Sequence, residues 1–256
     1  METITTSLDG AVGTITVNRP EVRNALSKTV LGEIGAVLDA WEDDASVGAV
    51  VFTGAGEKAF VAGADITQLA GYDLAYGLAA HMQKLYDRIE DYPKPTIAAL
   101  NGVAMGGGLE LAMSCDIRVA AVGTKMGLPE ATLGVLPGAG GTQRLTRLVG
   151  TGRAVEMILT SRVLTAGEAE RYGLVTAVVP REDLGATAAA TAATILSKGP
   201  LAVRLGKLVI RQGADADQKT GLLLERLAQT LLYTTEDKAE GAAAFLAKRP
   251  AEFAGR

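Results

Sequence analysis

Apolar runs and helical spacings divide the 256-residue chain into two unlike parts. Thr3–Ser7 and Val12–Val17 read as two short strands around the turn Leu8-Asp9-Gly10-Ala11. Ser27 is placed to cap a helix running to about Trp41, and Val47–Phe52 is a continuous apolar run of the kind that fills a buried strand. Leu74–Asp91 has helical spacing, which Pro93 and Pro95 then stop. Thr96–Leu100 predicts another buried strand, Leu109–Met113 a helix behind a glycine run, and Ile117–Ala121 a returning strand. Beyond Gly138 helical spacing dominates, with one more strand at Val175–Val179. The last four segments are all helical: Thr187–Ser197, Leu201–Gln212, Lys219–Tyr233 and Glu236–Ala247.

Strands alternating with helices over the first two thirds predict an α/β core, followed by a helical appendage. The appendage has a surplus of apolar surface. Leu222, Leu223, Leu224, Leu227, Leu231 and Leu232 crowd one helix, more than a lone helix needs, and a neighbouring subunit is the expected cover.

Two stretches carry the candidate chemistry: Asn101-Gly-Val-Ala-Met-Gly-Gly-Gly-Leu-Glu110, and Gly127-Leu-Pro-Glu130 continuing to Arg144. Gly106, Gly107 and Gly108 precede a helix, where glycines let a ligand approach free N–H groups at the positive end of the helix dipole. A carbonyl oxygen lodged there would be stabilised as it became an oxyanion. Tight helix–strand packing explains the same glycines equally well. Glu110, in the first helical turn, reads as an acid–base group or as a capping residue. Glu130, between Pro129 and an apolar segment, reads as a buried carboxyl with a raised pKa or as a surface turn residue. Phe60-Val-Ala-Gly-Ala-Asp65 could offer a second N–H donor, although a plain turn is the simpler reading.

Composition narrows the alternatives. With 48% hydrophobic and 21% charged residues the chain has ordinary globular make-up, and a net charge of −4 gives no support to nucleic-acid binding. Cys115 is the only cysteine, so no internal disulfide can form, and it reads as a small buried hydrophobe. His81 is the only histidine, which rules out a His-Glu-x-x-His zinc site and leaves metal catalysis with little support; it reads as structural. Gly138-Ala-Gly-Gly141 does not complete a dinucleotide fingerprint, because position 143 is Gln, and neither a Walker loop nor a Gly-x-Ser-x-Gly elbow occurs. The N-terminus lacks a basic start and an apolar run, and no stretch reaches the ~18 apolar residues of a membrane span. A cytoplasmic protein is the default expectation, with a processed organellar one as the alternative.

Taken together, Phe60–Ile66, Asn101–Asp116 and Gly127–Leu145 closely resemble the enoyl-CoA hydratase/isomerase, or crotonase, family. The similarity runs from Asn18-Arg-Pro20 to Phe245-Leu-Ala-Lys-Arg249. The resemblance implies an α/β spiral of ββα units over 1–195, holding an acyl-CoA site, and a helical trimerisation region over 196–256. It implies an acyl-CoA thioester substrate, a homotrimer or a hexamer of two trimers, and no cofactor beyond the CoA that arrives with the substrate. Ala64 and Gly107 match the family's oxyanion-hole positions. Glu110 and Glu130 match the two glutamates of its hydratases, the first as base on water adding at C3, the second delivering a proton at C2. Gly138 matches a water-positioning glycine. Arg23, Ala25, Ala62, Asp65, Ile66, Leu128 and Lys248 match substrate or CoA contacts. Two departures stand out. Thr67 replaces a lysine near the CoA phosphates in some hydratases, a loss that Arg23 or Lys248 could offset. Leu128 replaces a glutamine of several short-chain hydratases, making the expected pocket wall more apolar. Tyr72 and Tyr76 lie where the family's acyl pocket varies most. The expected reaction is hydration of a 2-trans-enoyl-CoA. A double-bond isomerase and a non-catalytic acyl-CoA-binding oligomer are the competing readings.

Overall fold

The fold is that of a computed structural model, which describes residues 1–65 and 71–256. The expectations attached to Ile66 and Thr67 lie outside the described residues.

The described strands form two sheets. The larger runs in the order β1 (Ile4–Asp9), β2 (Val12–Val17), β3 (Ala49–Gly54), β5 (Thr96–Leu100), β7 (Ile117–Ala121) and β10 (Ala177–Val179). The smaller holds β4 (Ala59–Val61), β6 (Val103–Met105), β8 (Lys125–Gly127) and β9 (Leu164–Thr165). β1 and β2 pair antiparallel across Gly10, which takes φ 54°, and from β2 onward the larger sheet is parallel. β4, β6 and β8 are parallel to one another, with β9 antiparallel at the edge.

Successive strand pairs are divided between the sheets. β3, β5 and β7 enter the larger, and the strand that follows each, β4, β6 and β8, enters the smaller. A helical segment then returns the chain, so each ββα unit is displaced one strand along from the last. β3, β5 and β7 are buried on both faces, which makes them continuous apolar runs in the sequence. Val50, Phe52, Ala98, Leu100 and Ala120 enter the main core. Alternate residues Val51, Ile97, Ala99 and Val119 pack with Leu184, Ala188 and Ala192 of the helix Leu184–Leu196.

The helix Lys28–Glu42 begins as expected, with the Ser27 hydroxyl accepting from Val30 N–H. The stretch expected as one helix over Leu74–Asp91 is instead two, Leu74–Ala79 and His81–Glu90. Ala80 between them adopts the left-handed conformation, φ 49°, and its N–H bonds the Gly77 carbonyl, which closes the first helix and redirects the second.

Near the C-terminus, the helices Pro200–Asp215 and Gln218–Leu232 pack on each other, and Glu236–Ala247 follows. No residue of the first two is buried. The first of them is tied to the core by charge: Lys207 Nζ lies 2.8 Å from Asp116, and Arg211 pairs with Asp116 at 3.1 Å and Glu90 at 2.6 Å. Among the described residues no helix is long and apolar enough to cross a membrane.

Candidate active site

Three ends of the smaller sheet converge on one cavity of about 550 Å³. β4 leads into Ala62–Ala64, β6 into Gly106 and Gly107, and β8 into Pro129 and Glu130, and all of these line it. The site thus lies beyond the carboxyl ends of parallel strands, where neighbouring chain segments diverge and leave a crevice.

Ala64 forms an isolated parallel bridge with Leu26. Leu26 N–H donates to Gly63 O, and Asp65 N–H donates to Leu26 O, both at 2.9 Å. Those flanking bonds join the two segments, so the Ala64 N–H itself points to the other side. Gly107 opens the helix Gly107–Ser114, so its N–H has no partner within the helix. Its carbonyl is held at 2.7 Å by the buried Tyr86 hydroxyl.

The glycine run answers both roles open in the sequence. A Cβ on Gly108 would lie 2.0 Å from Val61 O, so that glycine serves close helix–strand packing. Gly106, at φ 50°, lies against the site instead: a Cβ there would come within 2.8 Å of Glu130 Oε1.

Glu110 is 2% exposed, and its Oε1 accepts from Ala139 N–H and Gly141 N–H, each at 2.8 Å. Burial pushes its carboxyl up to about 7, with the nearby Glu130 adding to the rise. The two amides and the Arg144 guanidinium oppose that rise. Glu130 opens a 3-10 turn, Glu130–Leu133, and burial raises its pKa as well. Its Oε2 is buried and accepts no hydrogen bond. An unpartnered buried carboxyl oxygen favours the neutral acid. The two glutamates therefore face one space in unlike settings, one held by two amides of a neighbouring turn and the other with its own backbone N–H as the one opposing donor and Oε2 unpartnered.

Gly138 and Ala62 also line the cavity. Arg23, Ala25, Asp65 and Lys248 do not. Arg23 is exposed at φ 54°, but its carbonyl accepts from Ala62 N–H, so it sits beside the cavity wall. Ala25 O takes a bond from Arg19 Nη1, and the same guanidinium pairs with Asp65 at 3.4 Å. Lys248 is exposed where it ends the helix Glu236–Ala247. Leu128, expected in the pocket wall, is fully buried in the main core and lines no part of the cavity. It directly follows a strand, and its side chain enters the core while Glu130 reaches the cavity.

His81, expected to be structural, also lines the cavity, beside Met82, Tyr72 and Tyr76. The two tyrosine rings stack with centroids 3.7 Å apart. The amides of Ala139 and Gly141 are partners of Glu110 that sequence reasoning misses. Their signal in the chain is Gly138-Ala-Gly-Gly141, whose small residues leave backbone amides open to a side chain although no phosphate-binding fingerprint is complete. Among the described residues, no group of three or more His, Cys, Asp or Glu is placed to hold a metal ion.

Known proteins match the sequence and fold along nearly the whole chain. Residues 7–256 fit the family model described as enoyl-CoA hydratase/isomerase. A short-chain-enoyl-CoA hydratase of Clostridium acetobutylicum is 45% identical over 246 residues, covering 95% of this chain and 94% of that protein. A crotonyl-CoA hydratase of Syntrophomonas wolfei is 47% identical over 239 residues, covering 93% and 92%. The crystal structure of an enoyl-CoA hydratase from Bacillus anthracis superposes with a TM-score of 0.96 at 42% identity, covering 100% of both chains. The chain belongs to the enoyl-CoA hydratase/isomerase family, and its α/β spiral with a helical C-terminal region is the crotonase fold.

Proposed function

We propose that this protein reversibly adds water to a 2-trans-enoyl-CoA, giving a 3-hydroxyacyl-CoA, in the degradation of fatty acids or related acyl-CoA esters. The observation that carries the reading is the convergence of Glu110 and Glu130 on one cavity that Ala64 and Gly107 also line. The relatives named as enoyl-CoA and crotonyl-CoA hydratases support it.

The thioester oxygen is received by the Ala64 and Gly107 N–H groups. Addition at C3 builds enolate charge on that oxygen, so these donors bind the transition state more strongly than the ground state. Glu110, as the carboxylate, takes a proton from the water whose oxygen bonds C3. Glu130, as the neutral acid, gives its proton to C2. One water is consumed, and proton exchange between the pair and solvent restores the starting state. Gly138 helps position the water. The reaction needs no cofactor, because charge builds only on an oxygen that the backbone donors already receive.

Arg23, Ala25, Asp65, Ile66 and Lys248 are proposed contacts of the CoA portion, with Ala62 in the wall. Residues 1–195 make up the catalytic unit, and 196–256 supply contacts in a homotrimer or a pair of stacked trimers. The uncovered leucines of Gln218–Leu232 support that assembly. The location proposed is the cytoplasm. The decisive experiment is incubation with crotonyl-CoA, following loss of the conjugated-thioester absorbance. Absence of turnover, or conversion of a 3-enoyl-CoA without hydration, would overturn the reading.

A further inference from the structure

Glu110 owes its setting to two amides, and those amides lie in a turn outside either sheet. The turn runs through Gly138–Gly140 into the helix Gly141–Val149. What holds it is Arg144, a residue that does not line the catalytic cavity. Arg144 is 8% exposed, and its Nη1 donates to Ala139 O at 3.0 Å. The N–H of the same Ala139 donates to Glu110. The guanidinium also lies close against the turn, since a Cβ on Gly140 would come within 2.1 Å of Arg144 Nη1.

Arg144 is clamped from the far side. Its Nε and Nη2 reach Glu90 Oε2 at 2.8 and 2.6 Å, and Nη2 reaches Asp87 Oδ1 at 2.6 Å. The other oxygen of Glu90 is taken by Arg211 Nη1 at 2.6 Å. Arg211 belongs to Pro200–Asp215 in the C-terminal helical region and is itself braced by Asp116 and the Cys115 carbonyl. A continuous path of ionic and hydrogen-bonded contacts therefore runs from the C-terminal helices to the Glu110 carboxylate.

We propose that Arg144 is a positioning residue for Glu110, fixing the Gly138–Gly141 turn so that its amides stay aimed at the carboxylate, and that Arg211 holds Arg144 through Glu90. The inference rests on the reading of Glu110 as an acid–base group. Arg144 acts on Glu110 in two ways of one sign. Its charge favours the carboxylate directly, and the amides it orients favour the carboxylate by hydrogen bonding. Glu130 and Tyr86 are the other titratable groups facing Glu110. Tyr86 is fully buried and its phenol is pushed well above the ordinary range, so it stays neutral while the carboxyl pair titrates. Asp87 and Glu90 reach the site only through Arg144.

The test compares Arg144→Gln, Arg144→Lys and Arg211→Gln with the wild-type chain and with Glu110→Gln. kcat and KM for crotonyl-CoA hydration are measured across the pH range, together with thermal unfolding. Arg144→Gln should lower kcat about tenfold or more near neutral pH while KM changes less than about threefold, because a positioning defect is felt in the transition state. The acid limb of kcat should move to higher pH, since the carboxylate loses support, and the deficit should shrink in alkali. Arg144→Lys, keeping the charge but not the fork, should recover part of the displacement. Arg211→Gln should move the limb in the same direction by less. A folded Arg144→Gln whose limb stays in place overturns the proposal, whether kcat is normal or falls only in step with stability. If Arg144→Gln does not fold, Arg211→Gln decides: a displaced limb supports the path and an unmoved one overturns it. Full turnover by Glu110→Gln would sink the acid–base reading and the proposal together. Loss of turnover there with an unmoved limb in Arg144→Gln sinks the proposal alone.

Discussion

The helix Gly107–Ser114 and the helical pair Pro200–Asp215 and Gln218–Leu232 dispose of their apolar residues in opposite ways. All eight residues of the first are buried, and none of the pair is. An eight-residue helix is too short to hold itself in water, so its order comes from the core around it. That dependence serves the chemistry: Glu110 sits where solvent cannot relax its charge, and burial outweighs the fixed donors that favour its anion. The pair is long enough to persist as helix, and the Asp217 side chain caps its second member. Leu208, Ile210, Leu222, Leu227 and Leu231 are each more than half exposed. One region buries its apolar residues within a single chain; the other leaves an apolar surface uncovered, where the proposed assembly would seat a further copy. Arg211 and Glu90 are the joint between them.

Catalysis separates the two regions most strongly. If the chemistry belongs to the finished region, Glu110→Gln and Glu130→Gln should each lower kcat by about 10³-fold or more, in the upper range of what a single general acid or base contributes. Steady-state hydration of crotonyl-CoA measures this. Near-normal turnover by either variant would remove that glutamate from the mechanism.

Close packing gives the next largest effect. At Gly108 an added methyl meets the Val61 carbonyl at 2.0 Å, and neither backbone can retreat without moving β4 or the catalytic helix. Gly108→Ala should therefore cost about 3 kcal/mol or more in denaturant unfolding, at the upper end of overpacking effects. A cost below about 1 kcal/mol would show that helix and strand are less tightly apposed than the structure indicates.

These two sites also mark what the sequence discloses. β3, β5 and β7 stand out as apolar runs because both of their faces are buried. β4, β6 and β8 have three residues each, too few to show a period of two, and the first is legible only as a small-residue loop. Yet these short strands deliver Ala64, Gly107 and Glu130. The candidate glutamates are legible as residue types in glycine-rich settings; resemblance, not spacing, pairs them. Their convergence depends on three strand ends meeting across a sheet that local pattern does not reveal. Leu128 shows the converse. Two positions from Glu130 in sequence, it lies in the core, because neighbours along a chain need not share a surface.

The ionisation of Glu110 also bears on stability. Its carboxyl is raised from the ordinary 4.5 to about 7 in the folded protein. As pH rises between those values the unfolded chain releases this proton while the folded chain still holds it, so stability falls across that window. Above it the cost approaches about 3 kcal/mol, at roughly 1.36 kcal/mol for each pH unit that separates folded from unfolded titration. Glu110→Gln removes the ionisation while its amide oxygen can still accept from Ala139 and Gly141. The variant should be more stable than wild type by roughly 2 kcal/mol in mild alkali, with the gap closing toward about pH 5. Denaturant unfolding at several pH values measures it, and a constant difference would contradict a raised carboxyl.

The smallest effect is expected in the helical pair, where the same substitution that is ruinous at Gly108 should help. Gly206 lies within Pro200–Asp215, and a Cβ there meets nothing within 4 Å. Glycine inside a helix gives the unfolded chain freedom that alanine would remove. Gly206→Ala should therefore stabilise the protein by about 0.5–1 kcal/mol, read as a higher denaturant midpoint at unchanged slope. Sedimentation of the same variant distinguishes the two sides of this helix. An unchanged mass alongside the gain would place Gly206 outside the proposed contact between copies. A loss of both mass and stability would place it against a second copy, where a methyl has no room.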